Sequence, residues 1–413
     1  MNKKSDRIRK VYPWYWAFEG DLLFYIAIDT LFLTIVKNFS SAQVVSLASV
    51  STFVCILLQF PLLGIIRKIG NTASVRCGSF FLLLSAIFIT VGPNYWMVVL
   101  GRVFHDVAGI FRSASVVALE NCLDDTDSRG EFVKIRTQGS TIYAIITMLI
   151  SFVASLMFNF NHYLPMIGCI TTCLIGFILS LFIVDYTKYN KLNNQKKEKV
   201  NVHYSKFVVL AIAVFGLFYP IVTSGQSDGK LFIQQNLLTE LSVDDTSLII
   251  GGILCFSRIV RVVSNMLFVK IYRQYRLKMG MLLTCSLGLS IALLLFGSFI
   301  TPLFFRIVVM ALGYVIILFI RDPFKLYIQD ILFDHTPKEQ HQTLLTLMEF
   351  SVKVGTTGTG FIFTLVLLNY SMVVVMAITL FIAIIEIALS IWLYQLVMQH
   401  SAEITAEQSP KTR

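Results

Sequence analysis

Long apolar runs alternate with short polar stretches along almost the whole chain. About twelve of these runs are long enough to cross a membrane as a helix, which needs about 20 apolar residues. They cover residues 12–36, 42–66, 74–92, 95–119, 132–157, 163–184, 205–228, 245–269, 279–299, 302–324, 341–367 and 370–397. The apolar residues within each run are continuous rather than alternating, which indicates helices and not the strands of a barrel. The pattern therefore predicts an all-α integral membrane protein.

Composition supports this class. The chain has 413 residues, of which 56% are hydrophobic and 14% are charged, whereas soluble domains contain about 45–50% apolar and about 25% charged residues. The net charge of +10 could indicate a nucleic-acid partner, but the lysines and arginines lie between the apolar runs. They are better explained as orientation signals that face anionic lipid, so we expect membrane lipid and no nucleic acid as a partner.

The positive charges are distributed unequally between the two sides of the predicted membrane. Most of the 34 Lys and Arg lie in the amino terminus, in alternate loops and in the tail, while the other loops contribute Lys37, Lys230 and Arg306. This asymmetry predicts that both termini are cytoplasmic, in a multi-pass protein of the plasma or inner cell membrane. The basic start lacks a small-residue cleavage site, so we expect the first span to be retained.

Two halves of the sequence are similar to each other. Arg112 aligns with Arg321, Leu123 with Leu332 and Asp125 with Asp334, at one constant offset close to half the chain length. Between the halves lies the polar stretch KYNKLNNQKKEKVNVHYSK. We predict two pseudo-symmetric six-helix bundles, residues 1–184 and 205–400, with a basic cytoplasmic linker at 185–204 and a tail at 401–413. Parallel repeats of this kind place a substrate site at their interface near the membrane midplane.

Several motifs resemble those of the major facilitator superfamily. LGRVFHDVAGIF is similar to the fourth-helix pattern of that family and keeps its arginine as Arg102, and DTDSRGEF is similar to the end of the following loop. LGIIRKIGNTASVR resembles the glycine-rich basic turn after helix 2 but lacks its acidic residue. GSTIYAIITMLISF in helix 5 lacks the Gly-Pro pattern of the drug–proton antiporters. The resemblance covers the whole chain and implies a secondary transporter with twelve helices, in which helices 1, 4, 7 and 10 line a central cavity.

The first span contains three carboxylates in the stretch YWAFEGDLLFYIAID. A charged side chain near the bilayer centre costs roughly 2.5–3.5 kcal/mol on insertion scales, so each one needs a partner or water. Counted from the predicted helix ends, Asp29 lies at the depth of Arg102, and Glu19 or Asp21 lies at the depth of Arg112. We therefore predict that these opposite charges pair across a water-filled cavity.

The resemblance and these depths together suggest roles for the charged and polar residues. We predict proton coupling by carboxylates in helices 1 and 4, namely Asp21, Asp29 and Asp106. The predicted cavity and substrate-binding residues are Glu19, Tyr25, Arg102, His105, Arg112, Tyr219, Thr223, Gln226 and Tyr314. The predicted gate salt bridges involve Glu120, Arg321, Asp322, Lys325 and Asp330. Pro220 predicts a kinked or broken outer end of helix 7.

The predicted function is secondary active transport of a small molecule by alternating access in a monomer. No Gly-rich nucleotide-binding loop occurs, so a proton is the expected source of energy. The carboxylates of helix 1 favour export of amphipathic compounds, while the missing helix 5 pattern favours the alternative, a proton-driven symporter that imports a metabolite. A receptor, a scaffold or a lipid translocator with a transporter fold is the alternative of another class. We predict no enzymatic activity, no cofactor and no metal site.

Overall fold

The computed structural model describes residues 3–124, 131–185, 206–334, 336 and 341–408. These residues form helices and short connections without a β-strand, which confirms the all-α class. Eight of the described helices are long and apolar enough to cross a membrane. Helices suit this sequence because each backbone N–H and C=O group is then satisfied within its own segment, as lipid requires.

The helices of the amino-terminal half are α1 (Lys3–Phe18), α2 (Leu23–Leu31), a π-helical turn (Phe32–Val36), α3 (Ser41–Val91), α4 (Tyr95–Asp124), α5 (Phe132–Phe160) and α6 (Leu164–Ser180). Those of the second half are α7 (Lys206–Leu237), α8 (Val243–Tyr275), a 3₁₀ turn (Arg276–Lys278), α9 (Met279–Gly297), α10 (Leu303–Asp334), α11 (His341–Leu367) and α12 (Met372–Gln408).

The predicted first span, a continuous helix over residues 12–36, is wrong in two respects. Its helix begins much earlier, in α1, and residues 19–22 are not helical. The chain then continues as α2 and the π-helical turn. The apolar run does not indicate this break, because hydropathy reports the environment of a segment and not the backbone path within it.

The predicted second and third spans both fall within α3. Gly70 interrupts this helix with φ 79° and ψ 170°, a conformation that a residue with a side chain rarely adopts. The helix begins with a reciprocal cap, in which the backbone N–H of Gln43 donates to the Ser40 hydroxyl and the backbone N–H of Ser40 donates to the Gln43 side chain. Its other end is closed by Lys37, whose Nζ donates to the carbonyls of Thr90 (2.7 Å) and Gly92 (2.9 Å).

The chain divides into two compact units. The first contains α1–α6 and the part of α8 up to Arg258, and the second contains α7 and the chain from Ile259 onward. The predicted division placed all of α8 in the second bundle. The beginning of α8 packs instead on α5, where the Ser247 hydroxyl lies 2.7 Å from the Asn159 side chain and 3.1 Å from the Ser155 carbonyl.

Several helix ends differ from the prediction. Asp185, predicted to begin the linker, is buried and accepts hydrogen bonds from the side-chain amides of Asn71 (2.8 Å) and Asn121 (2.9 Å). Lys230, predicted to be in an outer loop, is a buried residue within α7. In place of the predicted tail, α12 continues to Gln408. Some predicted features lie outside the described residues. They are the rest of the linker, residues 409–413 of the tail, the motif residues Arg129 and Gly130, and the repeat residue Asp125.

Candidate functional site

The site begins with the break between α1 and α2. Gly20 lies in this break, and a side chain there would start 2.6 Å from a ring carbon of Tyr143 on α5. The close packing of the tyrosine ring thus favours glycine at this position. Glycine is also a poor helix former. Because the helix stops here, backbone carbonyls at its end have no partner within the helix.

Arg112 of α4 supplies the missing partners. Its Nη1 donates to the carbonyl of Glu19 (2.6 Å) and to the carbonyl of Gly20 (2.5 Å). Its guanidinium also lies 5.8 Å from the ring centre of Trp16. A positive charge at the carboxyl-terminal end of a helix is favourable because that end carries a partial negative charge.

The predicted pairing of Arg112 with the carboxylate of Glu19 or Asp21 is therefore corrected. The guanidinium donates its hydrogen bonds to the backbone carbonyls that the break exposes, while its charge acts on the carboxylates of Glu19 and Asp21 from a greater distance. Glu19 itself is 2% exposed and lies against α6, where Gly176 leaves room for it: a side chain on Gly176 would start 3.0 Å from Oε1.

Asp21 meets α4 at His105. Nε2 of His105 lies 2.9 Å from Oδ1 of Asp21, and Nδ1 lies 3.2 Å from Oδ1 of Asp106. The backbone N–H of Leu22 also donates to Oδ1 of Asp21, at 2.9 Å. The side chains of Asp21, His105 and Asp106 are 34%, 21% and 20% exposed, so all three are partly accessible. We call these three residues the proton cluster.

The geometry of the proton cluster requires shared protons. A neutral imidazole has one N–H donor and one acceptor nitrogen, whereas an ionised carboxylate only accepts. His105 presents each ring nitrogen to a different carboxylate, so two protons are needed to form both hydrogen bonds. Either the imidazole is doubly protonated or one aspartic acid keeps its proton. In both cases the cluster has a net charge of −1 when both bonds form, and loss of one proton removes one bond.

Arg102 is a positive charge that acts on the proton cluster from within α4. It interacts electrostatically with Tyr25, Asp106, Asp21 and Asp29. The predicted partners Asp29 and Arg102 thus interact electrostatically, but Arg102 also acts on the two aspartates of the proton cluster. Tyr25 is buried, and Oδ1 of Asp29 accepts the backbone N–H of Thr30 at 2.6 Å.

The polar residues predicted in α7 and α10 lie within the second unit. Nη1 of Arg321 donates to the Gln226 side-chain oxygen (3.0 Å), and the Tyr219 hydroxyl donates to the Arg321 carbonyl (3.3 Å). The Thr223 hydroxyl donates to the carbonyl of Tyr219 in its own helix. Tyr314 is buried in α10. The contacts of Arg321 join α10 to α7, and the contact of Thr223 stays within α7. A role of these four residues in substrate binding stays a prediction.

The predicted gate residues of α10 form ion pairs inside the second unit. Asp322 receives two hydrogen bonds from Arg261 of α8, at 2.7 and 3.0 Å. Lys325 pairs with Glu349 of α11 at 2.9 Å. These pairs connect helices of the same unit.

Further along α10, Asp330 pairs with Arg276 at 2.7 Å and accepts the Tyr272 hydroxyl. Burial and the hydrogen bond to Asp330 raise the pKa of Tyr272. Burial opposes the charge of Arg276, but its bonds to Tyr272, Asp334 and Asp330 raise its pKa. Glu120, the gate residue predicted in α4, is partly buried. A gating role of all these residues stays a prediction.

Sequence reasoning missed one buried carboxylate. Glu386 of α12 is 0% exposed, and neither of its oxygens has a hydrogen-bond partner among the described residues. A signal was present, since Glu386 is the only carboxylate in an otherwise apolar predicted span at 370–397.

Within the part of the chain that the structure describes, no three His, Cys, Asp or Glu side chains are arranged to hold a metal ion.

Solved structures of transporters share this fold over nearly the whole chain. The nucleoside transporter NupG has a TM-score of 0.72 at 12% identity and covers 96% of this chain and 99% of its own. An inward-facing bacterial homologue of the iron transporter ferroportin has a TM-score of 0.68 at 11% identity, covering 95% and 100%. A bacterial homologue of the human lysosomal transporter Spinster, inward-facing and occupied, has a TM-score of 0.66 at 10% identity, covering 96% and 98%.

These similarities confirm the resemblance to the major facilitator superfamily at the level of the fold. No family model matches the chain, and no curated protein matches it by sequence. The protein is therefore a multi-pass membrane protein with a transporter fold.

Proposed function

We propose that this protein is a secondary active transporter that moves a small molecule by alternating access and couples the movement to protons. The fold that it shares with solved transporters supports transport in general. The observation that carries the proton coupling is the position of His105 between Asp21 and Asp106. In this proposal the protein acts as a monomer in the cell membrane, with both termini in the cytoplasm.

The proton cluster connects protonation to the backbone of the first span. Asp21 belongs to the break between α1 and α2, while His105 and Asp106 belong to α4. When the cluster loses a proton, only one of the two imidazole–carboxylate bonds can form. Release of the bond to Asp21 leaves the break connected to α4 through Arg112 alone, and gain of a proton restores the second connection. A ligand that prefers one of these arrangements shifts the proton equilibrium by its difference in affinity.

Direction and substrate are the finer parts of the proposal. Asp21 and Asp29 in the first span resemble the carboxylates of family exporters, which favours export of small amphipathic compounds. The alternative is a symporter that imports a metabolite, which the missing Gly-Pro pattern of helix 5 favours. The solved structures named above carry different cargoes by their descriptions, so they do not select one of the two.

Transport in reconstituted vesicles tests the proposal. A panel of metabolites and drugs is first screened by thermal shift of the purified protein at two pH values, and the ligands found are then added to vesicles that contain a pH-sensitive dye. We expect substrate to move protons through the wild type. An exporter moves substrate against the proton flow, and a symporter moves both in the same direction.

Matched variants then test the proton cluster. Asp21→Asn and His105→Gln keep the approximate size of the side chains, and each should lower substrate-driven proton movement about tenfold or more, as expected for loss of a charged hydrogen bond. Asp244→Asn makes the same carboxylate-to-amide change at an exposed position in the first turn of α8 and should keep it. Proton movement that survives both cluster variants contradicts the assignment. If no compound moves protons or accumulates, the result favours a receptor or scaffold over a transporter.

A further inference from the structure

A groove between the amino-terminal parts of α1 and α5 is separate from the proton cluster. It has a volume of about 570 Å³. Its lining from α1 consists of Arg9, Lys10, Pro13 and Trp14, and its lining from Glu131 and α5 extends to Ile142. Both helices begin near this end, since α1 starts at Lys3 and α5 at Phe132. The proposed transport mechanism does not use the groove.

The groove is basic. Arg9, Lys10 and Lys134 contribute three positive charges to its lining, and Glu131 contributes one negative charge. Glu131 is already compensated, because its Oε2 lies 3.2 Å from Nη1 of Arg9. The two exposed lysines therefore determine the net charge of the groove.

Along α1 the side chains that line the groove change from charged to aromatic, as side chains do at a membrane surface. Lys10 is exposed, and one turn further Trp14 is 51% exposed. Further along α5 the groove is lined by Thr141 and the apolar Ile142. A lysine followed one turn later by an exposed tryptophan is the order of side chains expected at the level of lipid headgroups. The charge distribution predicts that this end is cytoplasmic, where the leaflet contains the anionic lipids.

We propose that this groove binds the phosphate group of an anionic phospholipid. Lys10 and Lys134 are the groups that attract the phosphate, Thr137 and Gln138 provide neutral hydrogen-bond donors at the lining, and Trp14 packs against the glycerol and the first part of an acyl chain. A zwitterionic lipid binds less well because its own cation is repelled by the lysines.

Native mass spectrometry of the full chain in detergent tests this proposal. Dioctanoyl phosphatidylglycerol and dioctanoyl phosphatidylcholine are titrated separately, and the occupancy of each lipid adduct is measured. We expect the wild type to retain phosphatidylglycerol more tightly. Lys10→Ala combined with Lys134→Ala should weaken the tightest adduct about tenfold or more, given the contribution of each basic residue near an anionic surface.

Two control variants separate a specific groove from general charge. Lys10→Arg with Lys134→Arg keeps both charges and should keep the adduct. Lys68→Ala with Lys206→Ala removes the same charge from exposed positions outside the groove and should also keep it. The proposal is overturned if the wild type retains the two lipids equally. It is also overturned if the Lys10→Ala, Lys134→Ala variant and the Lys68→Ala, Lys206→Ala variant lose equal amounts of the phosphatidylglycerol adduct. Displacement of phosphatidylglycerol by an equal concentration of inorganic phosphate assigns the groove to a soluble phosphate and overturns the lipid assignment.

Discussion

The first and seventh spans are at corresponding positions of the two sequence halves, but their backbones differ. The first span is interrupted at residues 19–22 and continues as α2. The seventh span contains Pro220 and is nevertheless helical from Lys206 to Leu237. Of the predicted kinked or broken outer end of helix 7, the break is therefore wrong and the kink stays a prediction. The unpredicted break is in helix 1, at a site without proline.

The difference shows that a helix inside a membrane protein can break only where neighbouring groups replace its lost hydrogen bonds. At the break of the first span, Arg112 binds two carbonyls. Pro220 removes only one donor, the partner of the Gly216 carbonyl four residues before it. That carbonyl lies against Gly355 of α11, whose lack of a side chain permits the contact.

The aligned residues Arg112 and Arg321 illustrate the same divergence. Arg112 holds backbone carbonyls at a break, and Arg321 holds the side chain of Gln226 on a continuous helix. Near Arg112 lies the proton cluster, whereas the helix of Arg321 carries the ion pair between Asp322 and Arg261. The first unit thus combines a helix break with titratable groups, and the second unit is stabilised by side-chain pairs.

Replacing each of the two aligned arginines should lower the free energy of unfolding, and the loss should be the largest of all at Arg112 and clearly smaller at Arg321. Arg112→Ala leaves two carbonyls without charged donors and should lower the free energy of unfolding by about 3 kcal/mol or more. Arg321→Ala removes one bond to an amide and should cost about half as much. Titration with a denaturing detergent measures both values. Equal losses would mean that the break does not depend on Arg112.

A side chain at Gly355 should have the next largest effect. In Gly355→Ala the new Cβ would start 2.6 Å from Cγ of Pro220 and would press on the Gly216 carbonyl. Because backbone atoms cannot move aside easily, we expect a loss of about 2–3 kcal/mol in the same titration. Gly358→Ala, at an exposed position of the same helix with nothing within 4 Å, should change stability by less than about 1 kcal/mol. Similar values for the two variants would contradict the close contact.

Gly20→Ala should cost less than Gly355→Ala. The new Cβ meets the ring of Tyr143, and a ring can shift where a backbone cannot. We expect a loss of about 1 kcal/mol, at the lower end of overpacking. In a double-mutant cycle, Tyr143→Leu should recover most of it. If Gly20→Ala lowers the free energy of unfolding equally in the Tyr143→Leu background, the position needs glycine for its backbone conformation and not for the contact with the ring.

The ion pair of Lys325 and Glu349 should have the smallest effect. Its side chains are 39% and 64% exposed, so solvent screens the interaction. Lys325→Ala should lower the free energy of unfolding by less than about 1 kcal/mol, and the loss should shrink as salt increases. Unfolding at low and high salt, with Glu349→Gln as the second arm of a cycle, measures this. A larger, salt-independent loss would indicate that Lys325 is more buried in solution.

Much of the fold was accessible from the sequence. The apolar runs predicted the all-α membrane class, and the motifs around Arg102 led to the fold that the solved transporters confirm. The sequence also identified Asp21, Asp106 and His105 as candidates, because charged groups within an apolar span are costly without a partner. It did not identify which of these residues contact one another. The predicted pairs came from counting residues along continuous helices to estimate depth in the membrane, and the helix break makes that count invalid after residue 18.

By itself, the sequence determined the environment of each segment, because transfer from water to lipid is a property of composition summed over about twenty residues. Only the tertiary structure decided where α1 ends, that Arg112 binds carbonyls, and that His105 lies between two aspartates. Those outcomes depend on angles and distances between helices. The physical reason is that burial is nearly additive along a chain, whereas a hydrogen bond requires two groups from distant positions to meet within about 3 Å in a defined orientation.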